Sequence, residues 1–560
     1  MIEKENSVWT DESRRESGGC QEGNRGSFSP ETEETKQLRG NFGVIAPAAL
    51  AYSIFYVFCM YRNGSGITFP FFVAGSLWFF CFSLSKLGII LKKGSCFYLI
   101  AMMLLGISTF CTDDGFLIFF NKLGVFLLLL SLLLKQVYDT SGWRLGKYLG
   151  SMGQLVFNGF GELGRLVADG KVYYGSREKK LDRRVWYFAG GLLIGLPLLL
   201  AVAALLASAD VVFRQMMDRL LRSVGLDNLF AVFSRITFFF FGSYALLSCL
   251  CKRKIREAAP DSGSGEPVLA ITVTGLLTMM YLLFSGIQIG GLFLGRLRLP
   301  EGYTYAIYAR EGFFQLLAVS LLNLVIVLFC IRHFRRSKVL KSILIVMSLC
   351  TFVVIASSFL RMIMYIRYYY LTYLRILVLW ALVLLALLFV GVVVQIIKED
   401  FPLFRYHMAV VTVLYLALSF AHPDYLIARV NVTNASFGQE AEQSHMTYAS
   451  YGAESDNLTG GFFLAERPYE DYGYLRELSA DAAPALAPYL QELGYDRKAL
   501  DAEDAVEYRL RKEGSAPDPS GEQGFGYYWM RRLQKRTENF GIRTYNVSRH
   551  IALRSLRREW

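Results

Sequence analysis

Long apolar runs recur along most of this 560-residue chain and limit its possible folds more than any other feature. An α-helix needs about 20 mostly apolar residues to cross a bilayer core of roughly 30 Å. About eleven runs meet or approach that length, and they cover residues 43–60, 67–85, 96–111, 116–136, 185–207, 230–251, 267–295, 312–331, 339–360, 374–397 and 403–421. We therefore predict an all-α polytopic membrane protein with about eleven transmembrane helices.

The composition agrees with a lipid environment. Hydrophobic residues make up 54% of the chain and charged residues only 19%, and the charges lie in short clusters between the apolar runs. The formal charge of +12 could suggest a nucleic-acid partner. Because Lys and Arg fall mainly in inter-helix loops and near the C-terminus, we interpret them as determinants of topology and expect no nucleic-acid binding.

Basic loop residues also predict the orientation, since Lys and Arg in short loops are retained on the cytosolic side. Basic clusters follow the second, fourth, sixth and eighth runs, whereas most of the opposite loops are poorer in bases or balanced by acids. The loop at 361–375, with three Arg and no acid, does not fit this alternation. The pattern predicts a multi-pass cell-membrane protein with a cytosolic N-terminus and an extracytoplasmic C-terminal domain.

Composition divides the chain into three parts. Residues 1–41 are polar and are predicted to be a disordered cytosolic tail without a cleavable signal peptide. Residues 42–421 are predicted to be the transmembrane bundle. Residues 422–560 are predicted to be a small, mainly helical extracytoplasmic domain that starts with a strand-like stretch at 425–432 and ends in a basic tail at 525–560.

Some local patterns predict elements that do not span the membrane. Residues 141–167 and 209–225 place apolar side chains at helical spacing opposite charges, which favours amphipathic helices lying along the headgroups. Between 474 and 494 the pattern favours a helix pair, in which Asp481 caps an N-terminus and Pro484 occupies a first turn.

The sequence offers no pattern typical of a cofactor or metal site. Gly159, Gly161 and Gly164 satisfy the dinucleotide-binding spacing GxGxxG, but a cytosolic loop of this length has no room for the βαβ unit that the motif requires. The histidines lack metal-ligand spacing, and the cysteines fall mostly in or beside apolar runs. We expect no cofactor, no metal and no disulfide framework.

Asp113 and Asp114 are the only paired carboxylates at the predicted outer rim of the membrane. Paired outer-face acids are weak candidates for the catalytic site of a membrane-embedded glycosyltransferase. An Asp-Asp-Gly sequence is ordinarily a simple turn, so a structural role is the alternative.

A larger polar group lies at the predicted outer ends of the later helices. Charges at the membrane boundary are costly unless they are paired, hydrated or extended toward water. These residues could therefore form an outward-facing anion pocket, or they could anchor helices in the aromatic belt. The candidates are Tyr308, Arg310, Glu311, Asn323, Arg361, Tyr365 and Arg375.

Small residues recur at the spacing that allows close helix packing. The fifth and seventh runs contain these glycines, which favour contacts within the bundle, with self-association as the alternative. They are Gly191, Gly195, Gly286, Gly290, Gly291 and Gly295.

Six stretches in the last two thirds of the chain form a recognisable series. In order, they are ASAD at 207–210, IYAREGFFQLLAVSLLNL at 307–324, FLRMIMYIRYYYLTYLR at 359–375, HPDYLIARVNV at 422–432, YLRELSADAAPAL at 474–486 and YNVSRHIALRSL at 545–556. Together they resemble the bacterial membrane-protein family of domain of unknown function 4173, which is related to the 4153 type. The resemblance implies a multi-pass bacterial membrane protein and no particular activity. It draws attention to Tyr308, Arg310, Gly312, Phe313, Arg361, Asp424 and Asn431.

The leading functional hypothesis is a non-enzymatic envelope interaction or sensing protein with an outward-facing polar pocket. Its expected partners are the lipid bilayer, and either an anionic envelope polymer or lipid or an unidentified protein. The alternatives are a transporter or lipid flippase, and a membrane-embedded glycosyltransferase.

Overall fold

The computed structural model describes most of the chain. It covers residues 32–140, 143, 145–176, 226–253, 255, 265–290, 312–335, 337–435, 474–475, 477–489 and 541–558, with isolated positions between 191 and 216. The helices are α1 (Glu33–Gly40), α2 (Phe42–Met60), α3 (Thr68–Lys86), α4 (Ser95–Cys111), α5 (Gly115–Val137), α6 (Leu145–Gly161), α7 (Arg165–Ser176), α8 (Leu226–Cys251), α9 (Pro267–Gln288), α10 (Phe313–His333), α11 (Lys338–Tyr369), α12 (Tyr373–Ile397), α13 (Leu403–Phe420), α14 (Pro423–Ala435), α15 (Ala483–Leu486) and α16 (Val547–Arg558).

The prediction of a polytopic all-α protein is confirmed. Within the described residues, nine helices are long and apolar enough to cross a membrane, and α4 is apolar but shorter. The predicted run at 185–207 falls on residues of which only isolated positions are described, so the total of eleven crossings stays a prediction.

The bundle has two packed halves. The cores of α2, α3, α5, α6 and α8 merge in the first half, and those of α9, α10, α11 and α12 merge in the second. Helix α13 connects the halves. Its Ser419 hydroxyl contacts Ser108 of α4, and the Trp380 indole of α12 donates to the Leu414 carbonyl of α13 at 2.9 Å.

One end of the bundle, which we call the α1 end, carries α1, α6 and α7. Arg39 of α1 pairs with the buried Asp169 of α7 at 2.9 Å, and Lys252 after α8 pairs with Glu162 at 2.6 Å. In the second half, Lys341 pairs with Glu399. The basic residues that predict a cytosolic face therefore include several that lie together at this end.

Helix α6 matches most of the amphipathic segment expected at 141–167. Tyr148 and Leu155 are buried against the bundle, while Leu149 and Phe157 are exposed. The expected segment at 209–225 lies largely outside the described residues. Gly159 and Gly161 fall within α6, so in the described chain GxGxxG does not follow a strand as a nucleotide-binding loop would.

The opposite end, which we call the cluster end, receives the described segments after α13. The strand expected at 425–432 is wrong, because these residues belong to α14. Pro423 occupies the first helical turn, and Ile427, Ala428 and Val432 lie on one helical face that is buried. Burial on that face overrides the strand preference of the β-branched residues.

Candidate functional site

The turn between α4 and α5 lies buried at the cluster end. Asp114 accepts a hydrogen bond from the Phe116 backbone N–H at 2.8 Å and so caps the N-terminus of α5. Asp113 and Asp114 are 3% and 5% exposed, so neither carboxylate is presented to solvent. The structural interpretation of the Asp-Asp-Gly turn fits this geometry.

Asp481 is the centre of what we call the carboxylate cluster, which comprises Asp113, Asp114, His422, Asp424 and Asp481. Its carboxylate accepts hydrogen bonds from Thr112 Oγ1 at 2.5 Å, the Asp113 N–H at 2.9 Å, His422 Nδ1 at 3.2 Å and the Ser548 hydroxyl. Burial raises the pKa of Asp481, but these donors outweigh it and hold the pKa below its usual value. Asp481 is therefore a buried carboxylate that joins four separate segments.

The prediction that Asp481 caps a helix is wrong. The side chain of Ser479 caps this turn, by accepting from the Asp481 N–H at 3.4 Å. Pro484 does occupy the first turn of α15, as expected.

His422 forms the junction between α13 and α14. Its backbone has a φ of +47°, in the left-handed region that non-glycine residues rarely adopt. The hydrogen bond with Asp481 raises the pKa of His422 and outweighs burial, which lowers it. The strained junction thus directs the ring at Asp481 and favours the charged imidazolium there.

Asp424 is a second buried carboxylate, in the first turn of α14. It accepts from the Ser479 N–H at 2.9 Å. Burial raises its pKa to about 6, with the negative charges of Asp114 and Asp481 adding to the rise. Burial also raises the pKa of Asp114, so three ionisable groups of the cluster, Asp114, Asp424 and His422, have raised pKa values.

Helix α16 closes the cluster from the other side. The Asn546 amide donates to the carbonyls of Ser65 and Thr112, both at 3.0 Å. Arg549 contacts Asp113 Oδ1 through Nε and Nη2, each at 2.7 Å. The described C-terminal residues are thereby fixed to the loops that follow α2 and α4.

A polar network continues from the cluster into the bundle. Asn121 Oδ1 accepts from the Tyr415 and Ser419 hydroxyls, both at 2.8 Å, and Ser419 contacts Ser108. These side chains lie within about two helical turns of the cluster, and they form hydrogen bonds with one another.

A cleft opens beside the cluster, and we call it the Arg62 cleft. It has a volume of about 400 Å³. Its lining residues are Arg62, Asn63, Gly64, Ser65, Ile118, Thr544 and Arg549, which include two arginines and no acid.

The residues predicted to form the outer pocket are described only in part. Tyr308, Arg310 and Glu311 lie outside the described residues. Arg361 is 7% exposed, and its Nη2 lies 3.4 Å from Gln288 Oε1. Arg375 stacks on the Tyr365 ring at 4.3 Å from its centroid and donates to the Tyr370 carbonyl.

Asn323, which was included in the same pocket, is buried deeper in α10. It donates to the Thr351 hydroxyl of α11 at 3.0 Å. This hydrogen bond gives Asn323 a helix-packing contact. A pocket formed by all of these residues stays a prediction.

The glycines expected at close helix contacts can be examined only in part. A Cβ placed on Gly191, Gly195, Gly286 or Gly290 would meet no atom within 4 Å. Gly291 and Gly295 lie outside the described residues. Close packing at these glycines, within the bundle or between copies, stays a prediction.

The carboxylates do not form an evident metal site. In the described part of the chain, no three His, Cys, Asp or Glu side chains are grouped so that they could hold a metal ion. The reason is visible at Asp481 and Asp113, whose oxygens are directed at hydroxyl, N–H and guanidinium donors.

The sequence did not predict Thr112, His422, Ser548 and Arg549 as partners of the aspartates, nor Asn546 as a partner of the Ser65 and Thr112 carbonyls. Each lies within or beside a stretch that carries the family resemblance or the TDDG turn. The co-occurrence of these stretches was the only indication in the sequence that they could meet in space.

Comparison with known proteins gives one match. A family model described as Domain of unknown function (DUF4153) matches residues 99–489, which is 391 of the 560 residues. The resemblance is thus confirmed for the 4153 type. The matched span contains the whole carboxylate cluster and ends before α16. No curated protein and no solved structure matches the chain.

Proposed function

The chain belongs to the DUF4153 family, and from that premise we propose that it is a non-enzymatic protein of the cell membrane that binds or senses envelope material at its cluster end. The observation that carries the proposal is the attachment of three C-terminal segments to the bundle through Asp481. A ligand that displaces these segments would act directly on the ends of the spanning helices.

The proposed orientation places the cluster end outside the cytosol. The clustering of basic residues such as Lys252 and Lys341 at the α1 end supports this orientation. Arginines also occur at the cluster end, but Arg361, Arg375 and Arg549 contact the protein itself and are less informative about topology.

A glycosyltransferase is less favoured by the geometry of the aspartates. A catalytic carboxylate must come within hydrogen-bond reach of its substrate. Asp113 is engaged by Arg549, Asp114 caps α5, and both are almost fully buried. These contacts support a structural role.

A transporter or flippase remains the second candidate because of the network around Asn121. A transport path requires polar groups near the middle of the membrane. The network reaches Asn121 and Tyr415, but Val125 and Leu128, further along α5, belong to an apolar core. The network is therefore better explained as an extension of the cluster.

Thiol labelling of intact cells tests the orientation. Ile542 is 92% exposed at the cluster end, and Ile90 is 86% exposed at the α1 end. A membrane-impermeant maleimide should label Ile542→Cys but label Ile90→Cys only after permeabilisation, with the unmodified protein giving the background. The opposite pattern would place the cluster end in the cytosol and rule out the proposed function.

A binding assay tests the activity. The full chain in phosphatidylcholine nanodiscs should bind poly(glycerol phosphate), a soluble anionic wall polymer, in a saturable manner that weakens with added salt. Absence of binding, together with sugar transfer that is lost in Asp113→Asn while the melting temperature is retained, would replace this proposal with the glycosyltransferase.

A further inference from the structure

The Arg62 cleft lies at the end of a helix that is long and apolar enough to span a membrane. Ile118, in its lining, is only one turn into the spanning helix α5. Two aromatic side chains on the helices that border the cleft are exposed. They are Phe58 on α2, at 61%, and Phe119 on α5, at 62%. The cleft thus combines polar loop atoms with the apolar side chain of Ile118, and the helices beside it carry exposed apolar rings.

The cleft is positively charged. Arg62 and Arg549 line it, and Lys122 Nζ lies 3.6 Å from the position of a Cβ on Gly64. Asp113, the nearby carboxylate, is already paired with Arg549. The remaining charge of the group is therefore positive, which favours an anionic ligand.

The loop that presents Arg62 is held rigidly. Asn63 donates to the carbonyls of Cys59 and Arg543 at 3.1 and 2.9 Å and accepts from the Gly66 N–H at 2.9 Å. Arg62 itself has a φ of +53°. A fixed loop lowers the entropy that binding must overcome, and a strained residue at a cleft is typical of functional sites.

We infer that the Arg62 cleft binds a phosphate group, supplied by the headgroup of an anionic membrane lipid. Guanidinium groups recognise phosphate oxygens through paired, charge-assisted hydrogen bonds. A volume of about 400 Å³ lies within the range of small-molecule sites and exceeds that of phosphate alone. The inference rests on the proposed function in that it makes the cluster end a binding face.

The test uses the full chain in detergent, with native mass spectrometry to measure binding of phosphatidic acid. Arg62→Gln should weaken binding roughly tenfold or more, as expected for the loss of a charge-assisted pair. Arg429→Gln is the matched control, because Arg429 is an exposed arginine of the same end that lies outside the cleft lining. Arg62→Gly is the second variant, since glycine suits the left-handed backbone and removes the guanidinium without adding strain.

Inorganic phosphate identifies the source of the ligand. If phosphatidic acid binds in an Arg62-dependent manner and millimolar phosphate does not compete, the lipid assignment holds. If inorganic phosphate competes fully, phosphate recognition holds with a soluble source and the lipid assignment falls. Equal losses in Arg62→Gln and Arg429→Gln, or unchanged binding in both Arg62 variants, would overturn the inference.

The result of this binding experiment is independent of the result of the labelling experiment. Phosphate binding in detergent does not depend on which end of the protein faces the cytosol. A cytosolic cluster end would remove the proposed envelope function and leave the cleft intact. Loss of the cleft inference would leave polymer binding to be explained by other residues of the same end.

Discussion

Asp481 joins more of the structure than any other side chain of the carboxylate cluster. Its donors come from the α4–α5 turn, the junction before α14, and α16. A buried carboxylate with several donors is stable only while they stay in place. We therefore expect these three segments and the segment that carries Asp481 to stay attached, or to detach, together.

The variant Asp481→Asn tests this cooperativity. The amide retains the size of the carboxylate but loses its charge, and it turns one acceptor oxygen into a donor. We expect the free energy of unfolding to fall by about 3 kcal/mol, the scale for disrupting a buried charged pair. Equilibrium unfolding in mixed micelles measures the change, with the exposed Asp400→Asn as the control. A fall no larger than that of Asp400→Asn would contradict the role of Asp481.

Asp424 should make stability depend on pH. Because its pKa is raised to about 6, the folded state binds this proton more tightly than the unfolded state does. This contribution to stability is present at low pH, is lost as pH rises toward 6, and stays lost above that value. Asp424→Asn removes the dependence. Between pH 4.5 and 7.5 the variant should gain about 2 kcal/mol relative to the unmodified protein.

Comparing the two proteins isolates Asp424 from the other titrating groups. His422 and Asp481 remain in both, so their shared contributions largely cancel in the difference. Ser479 keeps an acceptor in the variant, because the Asn side-chain oxygen can receive its N–H. A difference that does not change with pH would show that Asp424 titrates at its ordinary value.

The role of Asp481 could not be read from its local sequence. Its neighbours Ser479 and Pro484 suggest a helix start, and a helix does start there. The side chain takes its partners from positions between 59 and 369 residues away. A local pattern contains no information about such contacts.

The spanning helices could be predicted from the sequence because the length and apolar character of each run identify a helix without reference to the other runs. Spanning length is set by the thickness of the bilayer and does not depend on the rest of the fold. The exception was α14, where β-branched residues suggested a strand. A short segment outside the apolar runs takes its conformation from packing. Such a segment contains too few residues for the spacing of its apolar side chains to distinguish a helix from a strand.

The α12–α13 contact offers a test at the scale of the element. A Cβ on Gly391 would come within 2.4 Å of the Tyr406 ring, whose hydroxyl donates to the Leu387 carbonyl. Gly391→Ala should therefore destabilise the protein by about 1–3 kcal/mol, through overpacking. Gly275→Ala is the matched control, because an added methyl there meets nothing within 4 Å and alanine favours a helix. Thermal unfolding should show a lower midpoint for Gly391→Ala alone.

The two halves of the bundle meet at α13, which can be tested by crosslinking. Ser108 and Ser419 have hydroxyl oxygens in hydrogen-bond contact. The double variant Ser108→Cys/Ser419→Cys should form a disulfide on mild oxidation, since the bridge needs side chains in direct contact. Mass spectrometry should detect the linked peptides under non-reducing conditions. Absence of the link in folded protein would place α4 and α13 apart.

Across the whole molecule, the two ends were only partly predictable. Loop charges predict from the sequence which loops lie together at the α1 end. The preference of Lys and Arg for the cytosolic side applies to each short loop separately. Loop charges could not indicate that segments after α13 return to α2, α4 and α5. Arg549 and Asp113 are 436 positions apart, and a count of charges loop by loop cannot show that the two residues pair.

The contact between Asn63 and Arg543 spans 480 positions of the chain and has a consequence for biosynthesis. At about 5–20 residues per second, a ribosome needs roughly half a minute to a minute and a half to make that interval. During this time the turn after α2 is already at the membrane while its later partner does not yet exist. The nascent protein must therefore pass through a stage with an open cluster end, during which a chaperone or protease has access to groups that the finished protein conceals.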